Sequence, residues 1–526
     1  MARLLPVGRQ DFVKIRRDGC CYVDKTRQIH EMITGSSQSV FLSRPRRFGK
    51  SLLCSTLRAI FQGRRELFQE IGGQPALAID SLDWEWRKHP VVRIDLAGGD
   101  FTVGVERLNA MLASELRREA KRIGVKLARA DVDSQFKDLL EKACEATGED
   151  VVVIIDEYDK PLVDTIDMKP IHERLRAALR GFYGVLKSYE DCLRFVFFTG
   201  ITKFSHVSVF SVLNHLDDLS FDPCYADICG LTQNELEEYF QTEIAAVAKR
   251  RQKTKEQYVA ELRRFYNGYR FSELPTTLYN PFGLLLHFRR NGKFSSYWYE
   301  SGSPDFLIRL IRKQAINVSK LGSMRIDESS FYGFDADNME AVPVLYQTGY
   351  LTVKDYDDAA EEYELGFPNV EVATAFSKSL LEQYLSVPID DGKDFIRKLR
   401  NAFSQGDPGT ARDVIRAFLA SIDYSIAHPT EEYFQTVIFI VFKVLGFDCR
   451  VEMCTSKGRI DVLLETQEFV YCFEFKLDKS ADAGLAQIDK KEYTLQWTVG
   501  SKTVYKVGVG FSSADRNIAE WKHVLA

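Results

Sequence analysis

The sequence predicts an α/β fold with a parallel sheet, then a helical middle and a second, smaller α/β unit. Three observations point there. Val151-Val152-Val153-Ile154-Ile155 is a continuous β-branched run, as expected for a strand covered on both faces of a parallel sheet. Strand-like apolar runs alternate with charge-rich helical stretches through the first 230 residues. A shorter helix, strand, strand, helix, strand order follows Glu431.

Ser39-Val40-Phe41-Leu42 is a short buried strand. Lys50 to Phe61 is a helix with Leu53, Leu57, Ile60 and Phe61 on one face, stopped by Gln62-Gly63. Val91 to Leu96 and Leu193 to Phe198 are further strands, with charged helices over Val105 to Ala146. From about residue 230 the pattern turns helical with aromatic clusters. Residues 300 to 372 suggest a helix-and-hairpin module, with Leu351-Thr352-Val353 and Tyr363-Glu364-Leu365 as wing strands. Ser404 to Thr410, with two glycines and a proline, lies near a domain boundary.

A chain of 526 residues holds three to four domains at about 150 residues each. Hydrophobic residues at 45% and charged residues at 28% fit ordinary globular domains. A net charge of -5 excludes a global basic field, so any nucleic-acid binding must rest on local patches. Ten cysteines include Cys224/Cys229 and Cys449/Cys454 pairs, but no nearby histidines complete a zinc set. Buried free thiols in a reducing cytosol are the expectation. No run approaches the ~18 apolar residues of a membrane helix, and no leader is visible, so a cytoplasmic protein is expected, without a membrane partner.

Arg44-Pro45-Arg46-Arg47-Phe48-Gly49-Lys50-Ser51 joins the first strand to its helix and reads as a phosphate loop. Such loops converge backbone N–H groups and a helix N-terminus on an anion, with Lys for charge and Ser/Thr for Mg2+. Gly49, Lys50 and Ser51 supply the last three elements; Arg44, Arg46 and Arg47 add positive charge near the phosphates, although Arg44 stands where a first glycine is usual. Asp156 and Glu157 close the β-branched run: the first can hold Mg2+, the second can orient and deprotonate a water. Thr199 ends the Phe-rich strand and could sense the γ-phosphate. A polar strand-end turn is the alternative for each acid and for Thr199.

Near the other end, Glu474 and Lys476 lie two apart on a strand and share a face. Asp461 ends the preceding strand, which the pairing sets beside Glu474, with Leu464 to Phe469 as the turn. Metal ligands would be Asp461, Glu474 and the Phe475 carbonyl, with Lys476 polarising hydroxide. Glu431 and Glu432 open an apolar helix and compete to add a carboxylate; Gln487 on the next helix could contact metal-bound water or phosphate. A surface Glu-x-Lys pair is the alternative.

With both sites in view, the chain resembles a bacterial-type family joining an AAA-ATPase-like domain to a C-terminal PD-(D/E)XK nuclease domain. The matching motifs include Tyr22-Val23-Asp24-Lys25-Thr26, the Arg44 to Ser51 loop, Ile155 to Pro161, Tyr266-Asn267-Gly268-Tyr269 and Tyr279-Asn280-Pro281-Phe282. They continue through Phe367-Pro368-Asn369, Gly458-Arg459-Ile460-Asp461 and Glu474-Phe475-Lys476. The resemblance implies an ASCE/AAA-like P-loop NTPase using ATP, a winged-helix-like middle and a restriction-endonuclease-like domain using Mg2+. It makes Arg44 a feature of the family, and it suggests defence against mobile DNA or a place in mobile elements. The expected division is 1–230 ATPase-like, 231–300 helical lid, 301–395 winged-helix-like and 396–526 nuclease-like. The expected partners are ATP and nucleic acid, DNA foremost, with a homo-oligomer left open. An ATP-regulated nuclease is the first functional reading; a nucleotide-dependent switch or scaffold that does not cut is the second. In a third, Glu157 pairs with Lys160 or Arg47, so that nucleotide binds without turnover.

Overall fold

The computed structural model describes residues 4–203, 216–302, 305–314, 316, 318–322, 324–327, 331, 340–385, 392–422, 430–498 and 500–526. The chain forms two compact units, Met1–Trp298 with Arg325–Asn369, and Tyr299–Met324 with Val370–Ala526.

The first unit is built on β1 (Ser39–Ser43), β2 (Val91–Asp95), β3 (Val151–Asp156), β4 (Leu193–Gly200) and β5 (Asp217–Asp218). Their order is β2-β3-β4-β1-β5, and every pairing is parallel. All six residues of β3 are buried, the physical reason its sequence shows no alternation. Lys50–Phe61 is a helix with the expected ends, and Val105–Ile123 and Val132–Thr147 are the charged helices between β2 and β3.

The helical segment after the sheet packs around Tyr258, Tyr266, Tyr279, Leu284 and Phe288. Its motifs meet the hairpin strands' flank in space. The Asn369 amide donates to the Tyr266 carbonyl at 3.1 Å. Gly268, at φ 118°, lets the Pro368 carbonyl approach to where a Cβ would stand 2.0 Å away, so no larger residue fits. Strands β6 (Met324–Asp327), β7 (Thr352–Asp357) and β8 (Glu362–Gly366) form a three-stranded sheet. The antiparallel β7/β8 pair is the hairpin expected from Leu351 to Leu365.

The second unit carries β9 (Asp448–Thr455), β10 (Gly458–Glu465), β11 (Phe469–Leu477), β12 (Thr503–Ser512) and β13 (Asn517–Leu525) in the order β13-β12-β11-β10-β9. The sheet is mixed: β11 and β12 are parallel, the other neighbours antiparallel. The helix Glu431–Val444 is buried along most of its length and packs on β9, β10, β11 and the helix Val370–Leu385. The helix Ala481–Lys490 makes the crossover between β11 and β12 and packs on both. Two edge strands, β9 and β13, are additions to the expected element order. The stretch Ser404 to Thr410 joins two helices that pack on each other within this unit.

Among the described residues no helix is long and apolar enough to cross a membrane. All ten cysteines are free; Cys224 and Cys454 are exposed, so the expectation of buried thiols fails for those two.

Candidate functional site

The phosphate loop begins where β1 runs out. Gly49 caps the helix Lys50–Phe61 with φ 108°, a left-handed conformation that glycine adopts without strain. The Lys50 amine, only 3% exposed, donates to the Arg44 and Pro45 carbonyls at 3.0 and 3.3 Å and lies 3.7 Å from Glu157 Oε1. Ser51 sits on the first helical turn.

Asp156 ends β3 and is fully buried. Arg93, from the neighbouring strand, donates to its Oδ2 at 2.9 Å, while Oδ1 has no partner. Burial raises the Asp156 carboxyl above its ordinary range; Arg93 opposes this and Asp95 adds to it. Glu157 then turns the chain with φ 54°, a strained value for a non-glycine residue. Tyr158 and Asp159 hold that turn against β4 and the residues beyond it. The Tyr158 N–H donates to the Thr199 carbonyl, and the Tyr158 hydroxyl to the Thr202 carbonyl. Asp159 accepts from the Ile201 and Thr202 N–H groups and the Thr202 hydroxyl, and burial, then Glu157, push its carboxyl up to about 6.

Three expectations change here. Arg44 does not face a ligand: at 1% exposure it donates to the Ser43, Ser220, Tyr225 and Ala226 carbonyls and lies over Phe271 at 4.4 Å. It replaces the missing glycine as an internal brace. The Thr199 hydroxyl is buried and donates to the Leu42 carbonyl at 2.7 Å, so it is spent on the sheet rather than offered to a phosphate. Glu157 pairs with neither Lys160, which holds Asp164, nor Arg47, which lies over Phe282. Arg46 is likewise set among rings, 4.8 Å from Trp298 and 5.7 Å from Tyr350, and the Trp298 indole donates to its carbonyl at 3.0 Å. Trp298, fully buried, is a packing residue. Sequence reasoning missed Arg93; an arginine inside the apolar run Val91 to Leu96 was the available signal.

In the second unit, Asp461 and Glu474 face each other from adjacent strands. Asp461 sits inside β10 rather than at its end. The β10/β11 ladder begins at Val462 and Phe473, one residue from each acid, and the Phe475 N–H is turned to Asp461 Oδ2 at 2.7 Å. Glu474 is 1% exposed; its Oε1 accepts from Lys476 at 2.8 Å and its Oε2 has no partner. Burial, then the charge of Asp461, push the Glu474 carboxyl up to about 7, and burial raises Asp461 also. Burial pulls the Lys476 amine down, but Glu474, Asp461 and Glu431 together hold it above its ordinary value. Its second acceptor is the Phe475 carbonyl at 2.9 Å.

Of the two competing glutamates, Glu431 reaches the site: its Oε2 accepts from the Leu477 N–H at 3.1 Å, and its charge acts on Asp461 and Lys476. Gln487 lies half-buried on the crossover helix, with no side-chain hydrogen bond to these acids. Among the described residues no group of three or more His, Cys, Asp or Glu is arranged to hold a metal ion. The fit therefore rests on two carboxylates, the orphaned Glu474 oxygen and the Phe475 carbonyl, a hard-oxygen set suited to Mg2+ with water completing it.

The description "Predicted AAA-ATPase" matches residues 6–210, and "PD-(D/E)XK nuclease superfamily" matches residues 429–521. An "Uncharacterized protein in vnfD 5'region" of Azotobacter chroococcum mcd 1 is 34% identical over 528 residues, covering 98% of this chain and 97% of its own length. The chain belongs to this family, which joins an AAA-ATPase-like domain to a PD-(D/E)XK nuclease superfamily domain. The two descriptions fall one in each compact unit, around the loop and around the facing acids respectively. No solved structure matches the chain.

Proposed function

We propose that this protein is an ATP-regulated, magnesium-dependent nuclease that hydrolyses phosphodiester bonds of nucleic acid, with DNA as substrate. The observation that carries the reading is Glu474: a fully buried carboxylate with a free oxygen, facing Asp461, with Lys476 against its other oxygen. Like charges so placed have to be relieved by a cation or a proton.

Asp461, Glu474 and the Phe475 carbonyl would hold Mg2+, which supplies Lewis-acid polarisation of the scissile phosphoryl group and a lower pKa for attacking water. Lys476 keeps its proton and presents positive charge beside the acids, where negative charge grows as the water oxygen bonds to phosphorus. The attacking water gives up a proton to solvent as its oxygen bonds to phosphorus, the phosphorus–oxygen ester bond breaks, and the leaving oxygen takes up a proton from solvent. Glu431 ties Leu477 in place and fixes the strand end that carries Lys476.

In the first unit, Lys50, Ser51 and the loop N–H groups would cradle the ATP phosphates, Asp156 would hold the accompanying ion, and Glu157 would orient water. Arg46 and Arg47 would frame the loop from the aromatic side. Cleavage of plasmid, linear and single-stranded substrates with Mg2+, with and without ATP, tests the reading. Cutting by Lys476→Ala at the parent rate would remove the assignment.

A second reading is a nucleotide-dependent switch that binds nucleic acid without cutting it. The small number of carboxylates at the facing-acid centre favours it. Absence of Mg2+ or Mn2+ binding at Asp461 and Glu474 by calorimetry would decide for it.

A further inference from the structure

Between the helices Lys50–Phe61 and Val105–Ile123 and the β2 edge lies a polar cleft of about 710 Å³. None of Arg44 to Ser51 and none of the facing acids lines it, although Arg93 links its wall to Asp156. Its lining sets five arginines, Arg58, Arg64, Arg93, Arg118 and Arg122, against three acids, Asp11, Asp95 and Glu115. Glu119, fully buried, serves three of them: Arg58 and Arg122 at 2.8 Å and Arg118 at 3.6 Å. Glu115 also takes Arg118. Three guanidiniums therefore share two carboxylates. Each guanidinium has five donors against about four acceptor positions on a carboxylate, so both charge and donors are left over. Burial holds the Arg58 guanidinium below its ordinary value, Glu119 opposes this, and Arg122 and Arg93 add to the lowering. Arg93 is committed to acids: its Nη2 holds Asp95 and Asp156, and its Nε is buried.

Guanidinium forks with spare donors, crowded on one wall, match the oxygens of a phosphoryl group in number and geometry. We propose that this cleft binds a phosphate-bearing small anion, at a site separate from the phosphate loop. The ligand bridges Arg58 and Arg122 and draws on the spare donors of Arg118. The site stands on this cleft alone and does not require the nuclease or ATPase reading.

Calorimetry on the full chain carrying Lys50→Ala, which disables the loop, tests it with two probes, pyrophosphate and AMP. One-to-one binding of pyrophosphate is expected, weakened about tenfold or more by Arg122→Gln and by Arg58→Gln. Arg122 is half exposed, so its variant keeps the fold available for measurement. Pyrophosphate binding without AMP binding identifies a free polyphosphate ligand, and binding of both a nucleotide. No heat with either probe, or equal affinity after both arginine substitutions in a folded chain, overturns the site.

Discussion

The phosphate loop and the facing-acid centre use the same parts in different electrical states. Each pairs a lysine with carboxylates, and each has a buried carboxylate oxygen without a partner, on Asp156 and on Glu474. In the loop, Asp156 already has Arg93 at 2.9 Å, and Lys50 rests on its own loop carbonyls. In the second unit, Lys476 alone stands against Glu474, Asp461 and Glu431. The first centre sets two cations, Lys50 and Arg93, against Asp95, Asp156 and Glu157, and the second sets Lys476 alone against three acids; on the proposed reading only the second calls for a cation unaided. The comparison predicts that metal binds the second centre without nucleotide, while the first takes its ion together with ATP.

Substitutions can break this comparison. The largest effect is expected at the nuclease lysine: Lys476→Ala should lower Mg2+-dependent plasmid cleavage by about 10²–10³-fold while leaving ATP binding in place. Glu157→Gln should lower phosphate release by about 10²-fold, with nucleotide affinity retained, measured by steady-state assay and by fluorescent-nucleotide titration. An unchanged rate removes Glu157 as the base.

Arg44→Gly would restore the usual first glycine of a phosphate loop, and it should nonetheless destabilise the first unit by about 2–4 kcal/mol, read by chemical denaturation. It deletes a buried guanidinium and strands four carbonyls. A neutral outcome would return Arg44 to the status of a defect.

The smallest effect concerns pH. Glu474 is pushed from 4.5 to about 7 in the folded chain. Between those values the folded state keeps a proton that the unfolded chain has released, so this group's contribution to stability falls as pH rises. In metal-free protein, Glu474→Gln should flatten that fall and add about 1–2 kcal/mol at pH 8, with Lys476 partly unpaired as the offsetting cost. A steeper fall in the variant would reverse the sign assigned here.

The legible parts of the fold were those with strong burial. The run Val151 to Ile155 is legible because it is apolar without a break, and Leu53, Leu57, Ile60 and Phe61 because they recur at helical spacing. Strands β9 and β13 escaped because they are sheet edges: most of their residues are exposed or half-exposed, so neither shows a clean alternation. At the sites, strand geometry alone brought Glu474 and Lys476 to one face, and a plausible pairing set Asp461 opposite. Local sequence could not choose between Glu431 and Glu432, since adjacent residues on a helix differ only in direction, which packing decides. Arg93 and Arg44 were hidden for a different reason. Their partners lie 63 residues away at Asp156 and 176 at Ser220, and no local pattern records a contact of that range. A four-part division of the chain by sequence character remains a proposal beside the two compact units.

Calorimetric titration of Mn2+ into nucleotide-free protein tests the central comparison most directly. One ion per chain should bind to the parent and to Lys50→Ala, and binding should be lost in Asp461→Asn. No binding to the parent, or undiminished binding to Asp461→Asn, would contradict the account.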